Sequence, residues 1–257
     1  DVCSSDLRFN QSLKNIYLTD QFKTVSIRFD TTRTRLFPKI ELFQNEKYNF
    51  SSELGGSVFR GIPGPFLTNS FKVRRLFSGL DYFDFSTRIG YEAQSGFINT
   101  TDTRNNLELN VSASINFPNL YLPKSMVDKL GSFYGAKTSV GVGFDFINRP
   151  EYQRTNLNLF QRYTWQKSEF SFFTFSLVNL NLLNTIYPET ATSDAFKNYL
   201  EELKGKGNNL YRSFNPSFVS SLSFQYVYRN LLPTNELKDG KIFQIEIESG
   251  GYTLNLL

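Results

Sequence analysis

Between Leu107 and Phe117 the chain alternates without a break. Leu107, Leu109, Val111, Ala113, Ile115 and Phe117 are apolar; Glu108, Asn110, Ser112, Ser114 and Asn116 are polar. Successive side chains of a strand point to opposite faces, so this run predicts a strand with one oily and one wet face. Thr138–Ile147 repeats the pattern, with Val140, Val142, Phe144 and Phe146 set against Ser139, Gly141, Gly143 and Asp145. Small residues and an acid on the polar side leave little there that could fill a core. Tyr48–Val58 sets Tyr48, Phe50, Leu54 and Val58 against Ser51, Glu53, Gly55 and Ser57. Tyr82–Gln94 sets Phe83, Phe85, Ile89 and Tyr91 against Asp84, Ser86, Arg88, Gly90 and Glu92. Phe66–Phe77, Thr155–Gln166, Phe170–Asn184, Ser217–Arg229 and Ile242–Ser249 complete a set of about nine strands after Glu46, the spacing of an all-β chain. The adjacent Phe172 and Phe173 blur the facing of their strand, and a bulge there is one explanation.

Upstream, Thr24–Asp30 and Leu36–Gln44 read as two short strands of a separate unit, with a boundary near Glu46. Phe59–Pro65 reads as a compact Gly/Pro turn, Ser78–Gly79 as a tight turn, and Ser95–Asn106, Asn148–Arg154 and the Asp239-Gly240 region as loops. The period changes once. Ser193–Lys204 carries Ala195, Phe196, Tyr199, Leu200 and Leu203 at helical spacing, with Ser193 or Asp194 as the cap and Gly205 as the stop. This predicts one short amphipathic helix in a long loop, packed on its own loop or offered to a partner. Residues 1–7, DVCSSDL, read like a translated sequencing adapter, so they are expected to be an artefact that carries the chain's single Cys.

Composition narrows the class. No run of about 18 apolar residues occurs, which excludes a helical membrane span. A hydrophobic fraction of 40% fits a soluble protein and equally a transmembrane β-barrel, where only alternate residues need be apolar. The strands of about 10–13 residues exceed the usual soluble strand of about 5–6 and match the roughly 9–11 that cross a bilayer at a tilt. Tyr48, Phe117, Trp165, Tyr226 and Tyr228 stand at strand ends, where aromatic girdles meet the lipid–water interface. Pattern alone therefore favours an all-β, antiparallel transmembrane β-barrel over a soluble sandwich. Leu107, Leu109, Val111, Ala113, Ile115, Val140, Val142, Phe144 and Phe146 are then lipid-facing, and Glu53, Arg88, Glu92, Glu108 and Asp145 lumen-facing.

Catalytic chemistry finds little support. Histidine is absent, which removes the Ser-His-Asp triad and His-bearing zinc sites. Phosphate-cradling glycine motifs are missing too. Glu92 with Glu108, and Glu246 with Glu248, could pair on one face, but lumen acids explain them more simply. The 28 basic residues are interspersed with 24 acidic ones and form no block, so nucleic acid is not an expected partner. The expectation is a chain without an enzymatic activity and without a cofactor.

The order of several segments carries a resemblance. A strand ending INFP (Ile115–Pro118) is followed by GAKTSVGVGFDFINRPEYQRTNLNLFQRYTW (Gly135–Trp165), with Arg149, Pro150, Tyr152, Arg154, Thr155, Tyr163 and Trp165 at the matching positions. With Phe59–Gln94 and Phe243–Leu257, this resembles the barrel of the BamA/TamA outer-membrane assembly superfamily, of bacterial surface antigen type, most like its TamL branch. The block Arg74–Asp81 (RRLFSGLD) departs from the family's usual segment. The resemblance implies that 8–46 is the end of the last POTRA-like periplasmic domain. It implies that 47–257 is the N-terminal half of a barrel, open because partial. Tyr48, Phe50, Ser52, Leu54, Gly55, Gly56 and Val58 would form a lateral-gate strand. Gly55 and Gly56 would either ease its opening or relieve crowding. Implied partners are the outer-membrane bilayer, unfolded outer-membrane client proteins, and a periplasmic or inner-membrane partner through the POTRA domains. The implied function is insertion or export of outer-membrane proteins by β-strand templating. A passive porin-like or receptor barrel and a soluble β-rich binding module are the alternatives.

Overall fold

A computed structural model describes residues 12–30, 37–59, 62–77, 79–93, 105–230 and 240–251. The expected loop at 95–106 and the turn around Asp239 fall largely outside these residues. A helix over 12–18 (α1) leads into β1 (Phe22–Asp30), which pairs antiparallel with β2 (Phe37–Gln44). Nine further strands follow: β3 (Tyr48–Phe59), β4 (Ile62–Arg74), β5 (Tyr82–Ala93), β6 (Asn105–Phe117), β7 (Tyr134–Asn148), β8 (Gln153–Gln166), β9 (Ser171–Ile186), β10 (Ser217–Asn230) and β11 (Lys241–Gly250). They form one antiparallel meander in chain order, with β3 and β11 as its two edges. The sheet is not closed. Because every connection joins neighbours, the ends of β4, β6, β8 and β10 share the end of the sheet that meets the N-terminal unit. The connections after β3, β5, β7 and β9 share the other.

Register turns the alternation of each strand into a two-faced sheet. Ile115 lies opposite Val140, Ala113 opposite Val142, Val111 opposite Phe144 and Leu109 opposite Phe146. The row continues to Leu159 and Leu157, then to Leu180 and Leu182. No second sheet covers this face among the described residues. Val140 and Phe144 are exposed and the other seven expected lipid-facing residues are half-buried, each shielded by its neighbours in the sheet. A soluble sandwich would bury these positions under a partner sheet.

Several expectations need correction. Helices number three, not one, among the described residues: α1, α2 (Lys124–Leu130) and α3 (Ala191–Gly205), with a 3-10 turn at Asn209–Phe214. The period of α2 is too short to stand out from its polar surroundings. The cap of α3 is Thr190, whose hydroxyl accepts from the Ser193 N–H at 3.2 Å, rather than Ser193 or Asp194. Its stop is Gly207, left-handed at φ 75°, with Asn208 N–H bonded to Leu203 O and Gly207 N–H to Lys204 O, a Schellman closure. Gly205 is still helical. The segment expected as the turn Phe59–Pro65 is mostly strand, for Val58 pairs with Pro63 and Gly56 with Pro65. Pairing of β4 with β5 starts only at Phe66, so the prolines need no N–H on that side. Of the expected turn at Ser78–Gly79, Ser78 lies outside the described residues; beside it the Asp81 carboxylate accepts from Phe77 N–H and Gly79 N–H. The bulge of β9 is at Leu177, not at the Phe pair: Gln161 pairs with Val178, and Arg162 with Ser176. Trp165 is no exposed girdle residue; it is buried and stacked on Phe173 at 5.5 Å.

The most tightly packed cluster sits outside the sheet. Tyr152, from the β7–β8 loop, packs with Phe196 and Leu200 of α3 and with Phe214 of the 3-10 turn. The loop helix is thus held by its own loop and by the neighbouring one. Phe196→Ala should cost this cap about 3 kcal/mol. Limited proteolysis should then cut within residues 191–205, while the strand signal in circular dichroism stays unchanged.

Candidate interaction surface

The expected lateral-gate residues all lie on β3, an edge strand. Tyr48, Phe50, Ser52 and Leu54 share the apolar face, opposite Val73, Phe71, Asn69 and Leu67. Leu54 is exposed at 80% and Phe50 at 66%, more than comparable residues inside the sheet, because β3 has a neighbour on one side only. The side chain of Val58 lies outside the described residues. Along its open side β3 has no strand partner among the described residues, so its outward backbone groups are available for pairing.

The expected lumen-facing residues share the opposite face. Register places Glu53, Thr68, Arg88, Asn110, Asp145 and Asn156 in one row across six strands. Asp145 accepts from Asn110 and from Asn156, both at 3.2 Å. Arg88 lies 4.0 Å from the centre of the Phe66 ring, a cation–π contact. Glu108 stands opposite Gly90, one row away; Glu92 is opposite Asn106, its side chain outside the described residues. Of the acids suggested as a second pair, Glu246 accepts from Gln225 at 3.3 Å across β10 and β11. Among the described residues no three side chains converge as metal ligands. Asparagines carry the network onward, with Asn158 donating to Asn179 and Asn181, and Asn179 to Ser221. Polar atoms are thus largely satisfied within the face rather than gathered around a ligand.

Two glycines on this face seat aromatic rings, a feature sequence reading did not find. A Cβ on Gly55 would fall 2.4 Å from Phe66, and one on Gly141 would fall 2.6 Å from Phe160 and 2.7 Å from the Ala113 carbonyl. The register puts each glycine directly opposite its ring. Gly56 has open space. Only the crowding reading of the Gly-Gly pair therefore has a contact behind it, and at Gly55 alone. A signal did exist: a strand glycine facing a polar-side phenylalanine in the next strand.

The N-terminal unit docks on the sheet through charge. Arg74, 7% exposed, donates from Nε to Asp20 O at 2.6 Å, from Nη1 to Glu46 O at 3.1 Å and from Nη2 to the Asp20 carboxylate at 3.3 Å. Lys72 reaches the same carboxylate at 2.5 Å and also Asp84 at 3.5 Å. Gln21, 1% exposed, donates to Leu80 O and Asp81 O. Gly135, left-handed at φ 61°, donates its N–H to Asn15 Oδ1 at 2.8 Å, and Leu18 fills the space where a Cβ would stand. Arg75, at φ 58°, is held by its N–H to Asp81 O and by its guanidinium on Gln44 and Asn45. Partial burial acts to raise the Asp20 carboxyl, but the hydrogen bonds and charges of Lys72 and Arg74 outweigh it and hold it below the ordinary value. Sequence reading saw none of the contacts between the N-terminal unit and the sheet, whose partners are 28 to 120 residues apart.

No family model matches the chain, and no curated protein matches it.

Gly141→Ala should destabilise the sheet by about 1–3 kcal/mol, since backbone crowds the new methyl. Gly56→Ala should shift stability by no more than about 0.5 kcal/mol. Urea titration followed by Trp165 fluorescence separates the two. Arg74→Ala should loosen the junction by about 2 kcal/mol by leaving Asp20 O, Glu46 O and the Asp20 carboxylate without their donor. Because Asp20 is depressed in the folded chain, its contribution is complete above its unfolded value of about 3.9. It fades as pH falls through the lower folded value. A spin-label distance between Lys39 and Lys124 should therefore stay sharp at neutral pH and broaden below about pH 4. Asp20→Asn should broaden it at neutral pH.

Proposed function

We propose that the chain is part of an outer-membrane β-barrel that inserts or exports outer-membrane proteins, templating client strands at the open edge of β3. The observation that carries this reading is the apolar face: nine strands wide, continuous in register and covered by no second layer among the described residues. Soluble proteins rarely expose so large an apolar surface; a bilayer covers it without a second sheet. The strands run 10–16 residues, enough to cross at a tilt. The opposite face, with its Asn, Ser and Asp ladder, suits water. An edge strand with one unpaired side supports templating, because backbone pairing accepts many client sequences. A unit held by Arg74 and Gln21 beneath the strand ends suits a periplasmic POTRA-like module. On this reading no bond is made or broken in the client, and no cofactor takes part.

The test uses the full-length protein in lipid vesicles. A urea-unfolded eight-stranded outer-membrane barrel is added, and its folding is followed by its heat-modifiable migration on gels. Faster folding than in empty vesicles is expected, with the gain lost when a proline replaces a β3 residue whose N–H faces the open side. Ion conduction without any gain in folding would favour a passive barrel. Full-length protein washed from membranes by alkaline carbonate would point to a soluble module and end the barrel reading.

A further inference from the structure

We propose that the connection 118–133, with α2 at its centre, is an interfacial anchor that lies in the headgroup layer at the end of the sheet bearing the N-terminal unit. This rests on the barrel reading and adds a binding surface to it. The connection is fastened to the apolar side of the sheet rather than the polar side. Phe117, Thr138 and Tyr163 form one cross-strand row, in step with the apolar rows above it. Thr138 Oγ1 donates to Asn119 O at 2.6 Å and accepts from Tyr121 N–H at 3.0 Å; Tyr163 OH donates to Tyr121 O at 3.2 Å. Tyr121 meets Phe117 edge to face at 5.1 Å. The chain is thereby turned outward, onto the side that the barrel reading gives to lipid.

What it displays there suits a membrane surface. At 100° per residue Met126, Val127 and Leu130 share one side of α2, with Lys124, Ser125, Asp128 and Lys129 on the other. No residue of α2 is buried, and Met126 is 55% exposed. Val127 and Leu130 are half-buried, which leaves Met126 as the apolar residue of α2 that faces outward. Tyr121 is 60% exposed, and Phe77, stacked on Phe117 at 6.4 Å, is 64% exposed, which extends the patch along the sheet end. The patch is continuous with the nine-stranded apolar face, and the flanking Lys124 and Lys129 are exposed where anionic headgroups would lie. Continuity and charge together favour a bilayer over a protein as the occupant.

The experiment labels the full-length protein with an environment-sensitive fluorophore at single cysteines, Met126→Cys or Phe144→Cys, each with Cys3→Ser. The proteins are reconstituted in phosphatidylcholine–phosphatidylglycerol vesicles carrying a nitroxide either at the headgroup or near the end of an acyl chain. Both positions are exposed, so neither change disturbs a core. The expected result is loss of emission at 144 with the acyl-chain nitroxide and at 126 with the headgroup nitroxide, with 126 shielded from aqueous iodide. If 144 is quenched as expected but 126 is quenched by iodide alone, the anchor is wrong and the barrel stands. If 126 is shielded from iodide and from both nitroxides, a protein covers it and the anchor is wrong. If 144 responds to neither nitroxide, the barrel reading fails and the anchor with it.

Discussion

An apolar face nine strands wide, with no second sheet over it among the described residues, is the condition that everything else in this molecule answers to. Each strand contributes an ordinary alternation, and antiparallel register adds the strands into one surface. A slip of one residue at any pair would carry Glu, Asn and Asp side chains onto that surface, so the pairing is strongly specified. Burial of apolar area is worth about 25 cal/mol per Å². Residues such as Leu54, Phe50 and Ile247, at 80%, 66% and 64% exposure, obtain little of it from the protein itself. The remainder has to come from outside the described chain.

The polar face follows the complementary rule. Its groups are bonded mainly to each other, as Asp145 is to Asn110 and Asn156, and Ser139 to Asn116 at 2.7 Å. That arrangement keeps the sheet ordered without asking for a ligand. Charge becomes concentrated only at the end, where Arg74 and Lys72 grip Asp20 and Gln21 caps the Leu80 and Asp81 carbonyls. The N-terminal unit is consequently tied to the sheet at the ends of its strands.

Most of the strand framework was legible because period-two alternation is a local signal that survives without tertiary information. The nine strands and their order follow from it. The features that were not legible depend on what lies across the sheet. Tyr152 reads as one residue of a loop until α3 folds back and Phe196 meets it at 5.7 Å. Gly141 reads as a polar-side spacer until register sets Phe160 opposite it. Trp165 has the position of a girdle residue, yet stacking on Phe173 takes it out of contact with the surroundings. The bulge at Leu177 was sought at Phe172 because a shift of facing shows in the sequence only where two large residues collide. Arg74 stood in plain sight in RRLFSGLD, but its partner Asp20 lies 54 residues upstream.

The two ends of the open edge strand differ in a way that bears on how it would be used. At the junction end Tyr48 stacks on Phe71 at 6.4 Å, and Arg74 N–H bonds to Lys47 O at 2.8 Å. Arg74 also bonds Glu46 and Asp20, so this end of β3 is tied to the N-terminal unit as well as to β4. At the hairpin end Gly56 faces Pro65 and Val58 faces Pro63, and both proline nitrogens point away from β3, so pairing with β3 continues to Phe59 and Ile62. Gly56 has no side chain to pack, and next to it the Phe66 ring lies over Gly55. Local opening begins where packing and backbone bonding are weakest. The junction end of β3 is therefore the more firmly held of the two, by side chains of β4 and of the N-terminal unit together.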